Sequence, residues 1–196
     1  MLNKWIKFLV VPAVALSLSA CGINSVPTAE ENAKAKWADV ESSYQRRADL
    51  IPNLVETVKG FATQEQDTLT AVVEARAKAS SVQVSADDLD DAAKVQEFAA
   101  AQGALSQGLG RLLATVEAYP DLKSNQNFLA LQSQLEGTEN RINVARRDYN
   151  EAVRQYNTTI RTFPDIIGAK IIHGAEPMTP FQATTEGADE APDVQF

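Results

Sequence analysis

The only cysteine of the chain, Cys21, closes the run Leu18-Ser19-Ala20-Cys21. That run resembles the bacterial lipobox, whose cysteine becomes the lipidated first residue of the mature protein. What precedes it fits. Lys4 and Lys7 give a positive start, and Phe8 to Leu18 is apolar apart from Pro12 and Ser17. This is the order of a secretory signal. Eleven residues of helix reach only ~16 Å, whereas a bilayer core takes about 20 residues. The expected anchor is therefore acyl chains such as palmitate on Cys21, and stable attachment takes at least two of them. The rival is a retained N-terminal transmembrane segment with an incidental cysteine. Gly22 stands where an Asp would hold a Gram-negative lipoprotein at the inner membrane, so the resemblance favours the outer membrane.

Other chemistry is thinner. Arg46-Arg47 and Arg146-Arg147 are basic doublets that suit either an anion site or pairing with Asp49, Glu139 and Asp148 across helices. No glycine-rich phosphate loop accompanies them, which favours pairing. Asn53, Asn125, Asn140, Asn150 and Asn157 stand beside apolar stripes, where a buried amide can fix helix register. Tyr44, Tyr149 and Tyr156 fall on the stripes themselves and suit core packing with a polar tip. His173 has no second histidine near it. A Ser/His173 dyad is conceivable, and it requires His173 in a cleft with a carboxylate. One Cys and one His exclude a Cys/His zinc site within one chain. No inward carboxylate pair of the kind needed for glycosidase or metal work is visible. The expectation is no metal, no cofactor and no enzymatic activity.

Composition narrows the partners. The chain has 196 residues, 44% apolar and 22% charged, with a net charge of -8. Removing residues 1–20 leaves 16 basic against 26 acidic residues, or -10. Nucleic acid is excluded as a partner, because phosphate binding needs a basic face. Nine Gly and eight Pro argue against a turn-rich all-β fold.

The elements that must position these residues read as helices. Residues 22–27 form a short linker after Cys21, and Thr28 with Glu31 matches a capping box. Ala33, Trp37, Val40, Tyr44, Arg47 and Ile51 then follow in steps of four and three, on one helix face. Pro52 either kinks this helix or starts a new one. Leu54, Val55, Val58, Phe61, Leu69, Val72 and Val73 predict a second helical segment to about Ala79. Ser85 with Asp88 suggests another capping box, and a third helix is expected from about Leu89 to Ala118. Its Gly103, Gly108 and Gly110 suggest close approach of a neighbouring helix. From about Ser124 the stripe Phe128, Leu131, Leu135, Thr138, Ile142, Ala145, Tyr149, Ala152, Tyr156, Thr159, Phe163 alternates steps of three and four up to Pro164. A sustained 3.5-residue period implies helices crossing at a shallow angle. Residues 28–164 make the helical domain, 165–181 a C-terminal strap, and 182–196 an acidic tail that reads as disordered.

With these residues in view, a family resemblance is apparent. Arg46-Arg47-Ala48-Asp49-Leu50-Ile51-Pro52-Asn53-Leu54-Val55 with Lys59 resembles the signature of the LemA family. Tyr119-Pro120-Asp121-Leu122-Lys123, with Asn125 and Phe128, resembles its second motif. Glu139-Asn140-Arg141-Ile142 and Arg146-Arg147-Asp148-Tyr149-Asn150 resemble its third, and Val153, Tyr156-Asn157 and Phe163-Pro164 continue the match. The resemblance spans Trp37 to Phe181. It implies an all-α, antiparallel four-helix bundle of long helices on a membrane anchor, facing out of the cytoplasm, and it brings no activity. The usual member carries an N-terminal transmembrane helix, from which this chain departs through its lipobox. Arg46, Arg47, Pro52, Asn53, Lys59, Glu139, Asn140, Arg141, Arg146, Tyr149 and Asn150 then stand as a structural or partner-docking network. The expected role is a non-enzymatic scaffold or adaptor of the bacterial envelope, docking a protein partner or its own copies. The alternatives are an envelope stress sensor or membrane-remodelling protein opening at Pro52, and a Ser/His hydrolase.

Overall fold

The computed structural model describes residues 2–62 and 64–182, with side chains from residue 24 onward. The Cys21 side chain and the acidic tail from residue 183 lie outside these. The described chain is helical, with no strand. Helix α1 spans Leu2–Lys59, α2 Gln66–Ser81, α3 Ala92–Val116, α4 Pro120–Lys123, α5 Gln126–Thr159 and α6 Asp165–Gly168. A π-turn, Ala169–His173, extends α6.

The apolar stripe of α1 holds its phase through Pro52. Ala33, Trp37, Val40, Ile51, Leu54 and Val58 are all fully buried, and Thr28 lies inside the helix, its hydroxyl donating back to the Asn24 carbonyl. Of the two alternatives at Pro52, a new start is not seen: α1 runs on to Lys59, and α2 starts at Gln66. Two facts explain this. Pro52 is on the exposed face, so its ring meets no neighbouring helix. Its missing N–H leaves the Ala48 carbonyl without an intrahelical donor, and Arg76 Nε of α2 donates to that carbonyl at 2.8 Å. Phe61, placed on the second stripe by sequence, falls in the turn and is 44% exposed, and Val73 of α2 also faces outward.

α1 and α5 run antiparallel: Lys36 meets Asp148, Trp37 meets Tyr149, and Arg47 meets Glu139. α2 returns along α1, as the Arg76–Ala48 contact requires. α3 runs back against α2, with Gln102 on the Ala79 carbonyl and Gly108 against Val72. A Cβ on Gly108 would lie 3.6 Å from Val72 Cγ2, whereas nothing lies within 4 Å of one on Gly110. Since 3.6 Å is an ordinary van der Waals contact, α3 and α2 touch at Gly108, but close helix approach requires glycine at neither position.

Side-chain caps sharpen the starts. Asp91 accepts from the amides of Ala93 and Lys94 and begins α3; Ser85 and Asp88 bond each other in the preceding turn instead of capping it. Asn125 caps α5 through the amides of Asn127 and Phe128. Each such cap is worth about 1 kcal/mol. The α5 stripe is buried at Phe128, Leu135, Thr138, Ile142, Ala145, Tyr149, Ala152 and Tyr156. It stops short of Phe163, which is 74% exposed beyond the helix end. The core is divided in two. One cluster gathers around Trp37, Tyr44, Phe98 and Tyr149, the other around Ile51, Leu54, Leu105 and Leu112.

Candidate functional site

Three polar side chains are buried among the described residues: Arg47, Gln102 and Thr138. All three lie where the two core clusters meet. On α1, Arg47 separates Tyr44 from Ile51; on α5, Thr138 separates Leu135 from Ile142. The Arg47 guanidinium donates through Nη1 to Ser106 Oγ at 2.6 Å and to Glu139 Oε2 at 3.3 Å. Through Nη2 it donates to the Gln102 carbonyl at 3.1 Å and to Gln102 Oε1 at 2.9 Å. Gln102 Nε2 in turn donates to the Ala79 carbonyl. One connected set of bonds thereby touches α1, α2, α3 and α5.

The electrostatics follow from this placement. Burial pushes the Arg47 pKa down, while the Glu139 carboxylate beside it pulls the other way. The guanidinium lies 4.9 Å from the Tyr44 ring centre, a cation–π distance. Its Nε has no hydrogen-bond partner. Both terminal nitrogens are committed to internal acceptors, so the Arg47 end of the first basic doublet is built for cross-linking helices. Arg46 is exposed on the other face.

A second polar set holds the chain's own C-terminal segment. Gly174 takes a left-handed turn at φ 56°, where glycine suffers no Cβ penalty. The chain then runs back in extended form over α5. Asn150 receives the Phe181 amide at 2.7 Å and donates to the Phe181 carbonyl at 2.8 Å. Asn157 does the same to Met178, at 2.9 and 2.8 Å. The spacings match. Seven residues of helix rise ~10.5 Å, and three residues of extended chain cover about 10 Å. Tyr149 Oη donates to the Thr179 carbonyl at 2.8 Å, and Arg146 donates to the Gln182 carbonyl while lying 4.4 Å from the Phe181 ring centre. The Thr179 amide reaches across to the Leu89 carbonyl. Phe181 is thereby inserted among Trp37, Tyr44 and Phe98.

The remaining sequence candidates separate from these sets. Asn53, Lys59, Asn140 and Arg141 are exposed. Arg147 bonds back to the Asn143 carbonyl, and Asp49 accepts from Gln45. The expected doublet–acid pairing is thus found at Arg47–Glu139 and not at Asp49. Gln102, Ser106 and Arg76 carried no sequence signal, being polar residues in ordinary helix. His173 lines a shallow cleft of about 180 Å³ with Glu30, Asp87, Asp90 and Glu176, and neither serine nor cysteine lines it. A larger groove of about 450 Å³ beside Tyr44 and Phe98 contains Glu41, whose carboxyl is pushed up by burial, and no histidine. Among the described residues no group of acids and histidines is placed to hold a metal ion, and no helix is long and apolar enough to cross a membrane.

Among the described residues the buried polar groups bond to the chain's own helices and strap, which defines a helical domain. The LemA family model matches residues 36–196, and the chain belongs to the LemA family. Among its relatives is the magnetosome protein MamQ 2 of Paramagnetospirillum magneticum, 30% identical over 158 residues, covering 72% of this chain and 58% of the relative. The magnetosome protein MamQ of Magnetospirillum gryphiswaldense is 27% identical over 157 residues, with the same coverage of 72% and 58%. Protein LemA of Metamycoplasma hominis is 24% identical over 124 residues, covering 63% of this chain and 52% of the relative. The chain spans little more than half the length of these relatives.

Proposed function

We propose that this chain is a membrane-anchored, non-enzymatic helical scaffold of the bacterial cell envelope, an antiparallel four-helix bundle that works through its surface and its placement. The observation that carries the reading is the inward commitment of its polar groups. Arg47, Gln102, Tyr149, Asn150 and Asn157 are bonded to acceptors and donors of the same chain. The His173 cleft holds no serine or cysteine, and the groove beside Tyr44 holds no histidine, so neither brings a Ser/His pair together. The anchor is lipid on Cys21, with the domain outside the cytoplasm and the outer membrane favoured in a Gram-negative cell. The partner is a protein or a second copy of the chain.

Feeding cells an alkyne fatty acid tests the anchor. Wild-type protein takes up label and Cys21→Ser does not; an unlabelled wild type sinks the lipid anchor and restores the N-terminal transmembrane segment. For the function, His173→Ala leaves the cellular phenotype intact, and Cys21→Ser abolishes it although the released domain stays folded. The opposite pattern favours a hydrolase.

A further inference from the structure

Eight large apolar side chains are conspicuously exposed among the described residues, and four of them fall within ten positions: Phe163 at 74%, Ile167 at 52%, Ile171 at 78% and Ile172 at 58%. Phe163 lies in the turn before α6, Ile167 in α6, and Ile171 and Ile172 in the π-turn, so the four are gathered on one short segment. The same segment packs inward through Gly168 and Ala169, which are buried. Apolar patches left open in this way mark interaction surfaces.

The place of this stretch in the fold identifies its occupant. Ile160, where α5 ends, joins the same core cluster as Val26 of α1. Beyond it, Asp165 accepts a hydrogen bond from Ser25 Oγ. Ser25 is four residues after Cys21, which is ~6 Å along a helix. The backbone of α1 continues without a break through Cys21 and the apolar run from Phe8 to Leu18. The patch therefore sits at the end of the domain from which the anchor leaves. The segment's own charge is slightly positive, although the cleft at its His173 end is acidic. Residues 160–174 carry Arg161 and Lys170 against the single acid Asp165, in a chain whose net charge is -8. Exposed isoleucines and a phenylalanine flanked by basic side chains are the composition of a surface that lies in a lipid headgroup region. A second copy of the chain is a poorer fit, because four side chains fall short of the ~800 Å² per partner that a stable interface buries.

We infer that Phe163, Ile167, Ile171 and Ile172 form a membrane-surface insertion patch, with Arg161 and Lys170 placed toward anionic headgroups. The patch fixes the tilt of the helical domain against the bilayer, and the anchor supplies attachment. This rests on the membrane-anchored reading above.

The full chain, reconstituted into phosphatidylethanolamine–phosphatidylglycerol vesicles with brominated acyl chains, tests it. Ile171→Trp places an indole in the patch. Leu129→Trp places one at another exposed apolar site, ~46 Å away along α5. Trp37, the tryptophan that remains once residues 1–20 are removed, contributes equally to both variants. The expected result is at least twofold stronger bromine quenching of the added indole for Ile171→Trp. Equal quenching in a chain that floats with the vesicles overturns the patch and leaves the anchor standing. A chain that does not float overturns both. A patch that joins two copies gives no added quenching and a crosslinked dimer through 163–172, which also overturns it. Ile167→Glu with Ile171→Glu should still float, yet lose the vesicle-dependent protection of amides 161–174 from hydrogen exchange. Wild-type amides that exchange equally with and without vesicles count against the inference.

Discussion

Arg76 Nε donates to the Ala48 carbonyl at 2.8 Å, the acceptor that Pro52 leaves vacant by lacking an N–H. A side chain of α2 thus replaces a backbone bond of α1. The substitution of donor lets α1 pass a proline without ending, and it binds the second helix to the first at that level.

The two residues should therefore be coupled. Arg76→Leu strands the carbonyl of buried Ala48 and should cost about 1–3 kcal/mol. In a Pro52→Ala background the amide at position 52 reaches that carbonyl itself, so the same Arg76→Leu change should cost less than half as much. Urea unfolding of the four proteins gives the cycle. Strict additivity would show that Arg76 stabilises by some other route.

Arg47 and Glu139 should differ sharply although they pair. Arg47 is 3% exposed at its side chain and Glu139 50%. Arg47→Ala leaves a buried Gln102 carbonyl, the Gln102 amide oxygen and Ser106 without their donor, at a cost of about 3–5 kcal/mol. Glu139→Gln keeps an acceptor and remains wetted, so it should cost under about 1 kcal/mol. Thermal or urea unfolding decides; comparable losses would mean that the ion pair, and not the bonds to α3, carries the layer.

How much of this was legible in the sequence depended on the range of the signal. The α5 stripe could be read because a 3.5-residue period is local and one face is buried from Phe128 to Tyr156. It overran at Phe163 because the sequence spacing continued after the helix had ended at Thr159. Local sequence leaves a kink and a new start both open at Pro52, because the compensating donor, Arg76, lies 24 positions away on another helix. Arg47 was visible as a stripe position occupied by a cation, and Glu139 as a possible partner. Gln102 and Ser106 were not visible, since a glutamine or serine on a helix has the same local pattern whether it is buried or wet. In the sequence Asn150 and Asn157 read as amides that set helix register. Their use on an extended segment depends on a match between two turns of helix and three residues of strap, which neither stretch displays alone.

That match gives a prediction of its own. Asn150→Ala should release the Phe181 amide to faster hydrogen exchange, while the Met178 amide, held by Asn157, changes less. Asn150→Asp keeps an acceptor for the amide and turns a carboxylate toward the Phe181 carbonyl, so it should loosen the strap at least as much as alanine does. Exchange measured by mass spectrometry over residues 175–182 separates the cases. An aspartate variant as protected as wild type would show that the carbonyl bond contributes nothing.

Tyr149 links the strap to pH. Its side chain is fully buried beneath Trp37, and burial raises its pKa well above the usual 10.0. Burial moves Tyr44 and Tyr156 the same way. Below pH 10 the phenol is protonated folded or unfolded, and its contribution is fully present. Above pH 10 the unfolded chain loses the proton and the folded chain keeps it, so stability falls as pH rises, by up to about 1.4 kcal/mol per unit for one such group. Tyr149→Phe removes that share. At pH 7 the variant should be weaker by about 1 kcal/mol, from the lost bond to the Thr179 carbonyl. Between pH 10 and 11 its stability should decline less steeply than that of the wild type, narrowing the gap. Urea midpoints across pH 7–11 provide the comparison. Two parallel curves would mean that the buried phenol ionises in the folded protein as readily as in the unfolded chain, and that the strap does not shut it off from water.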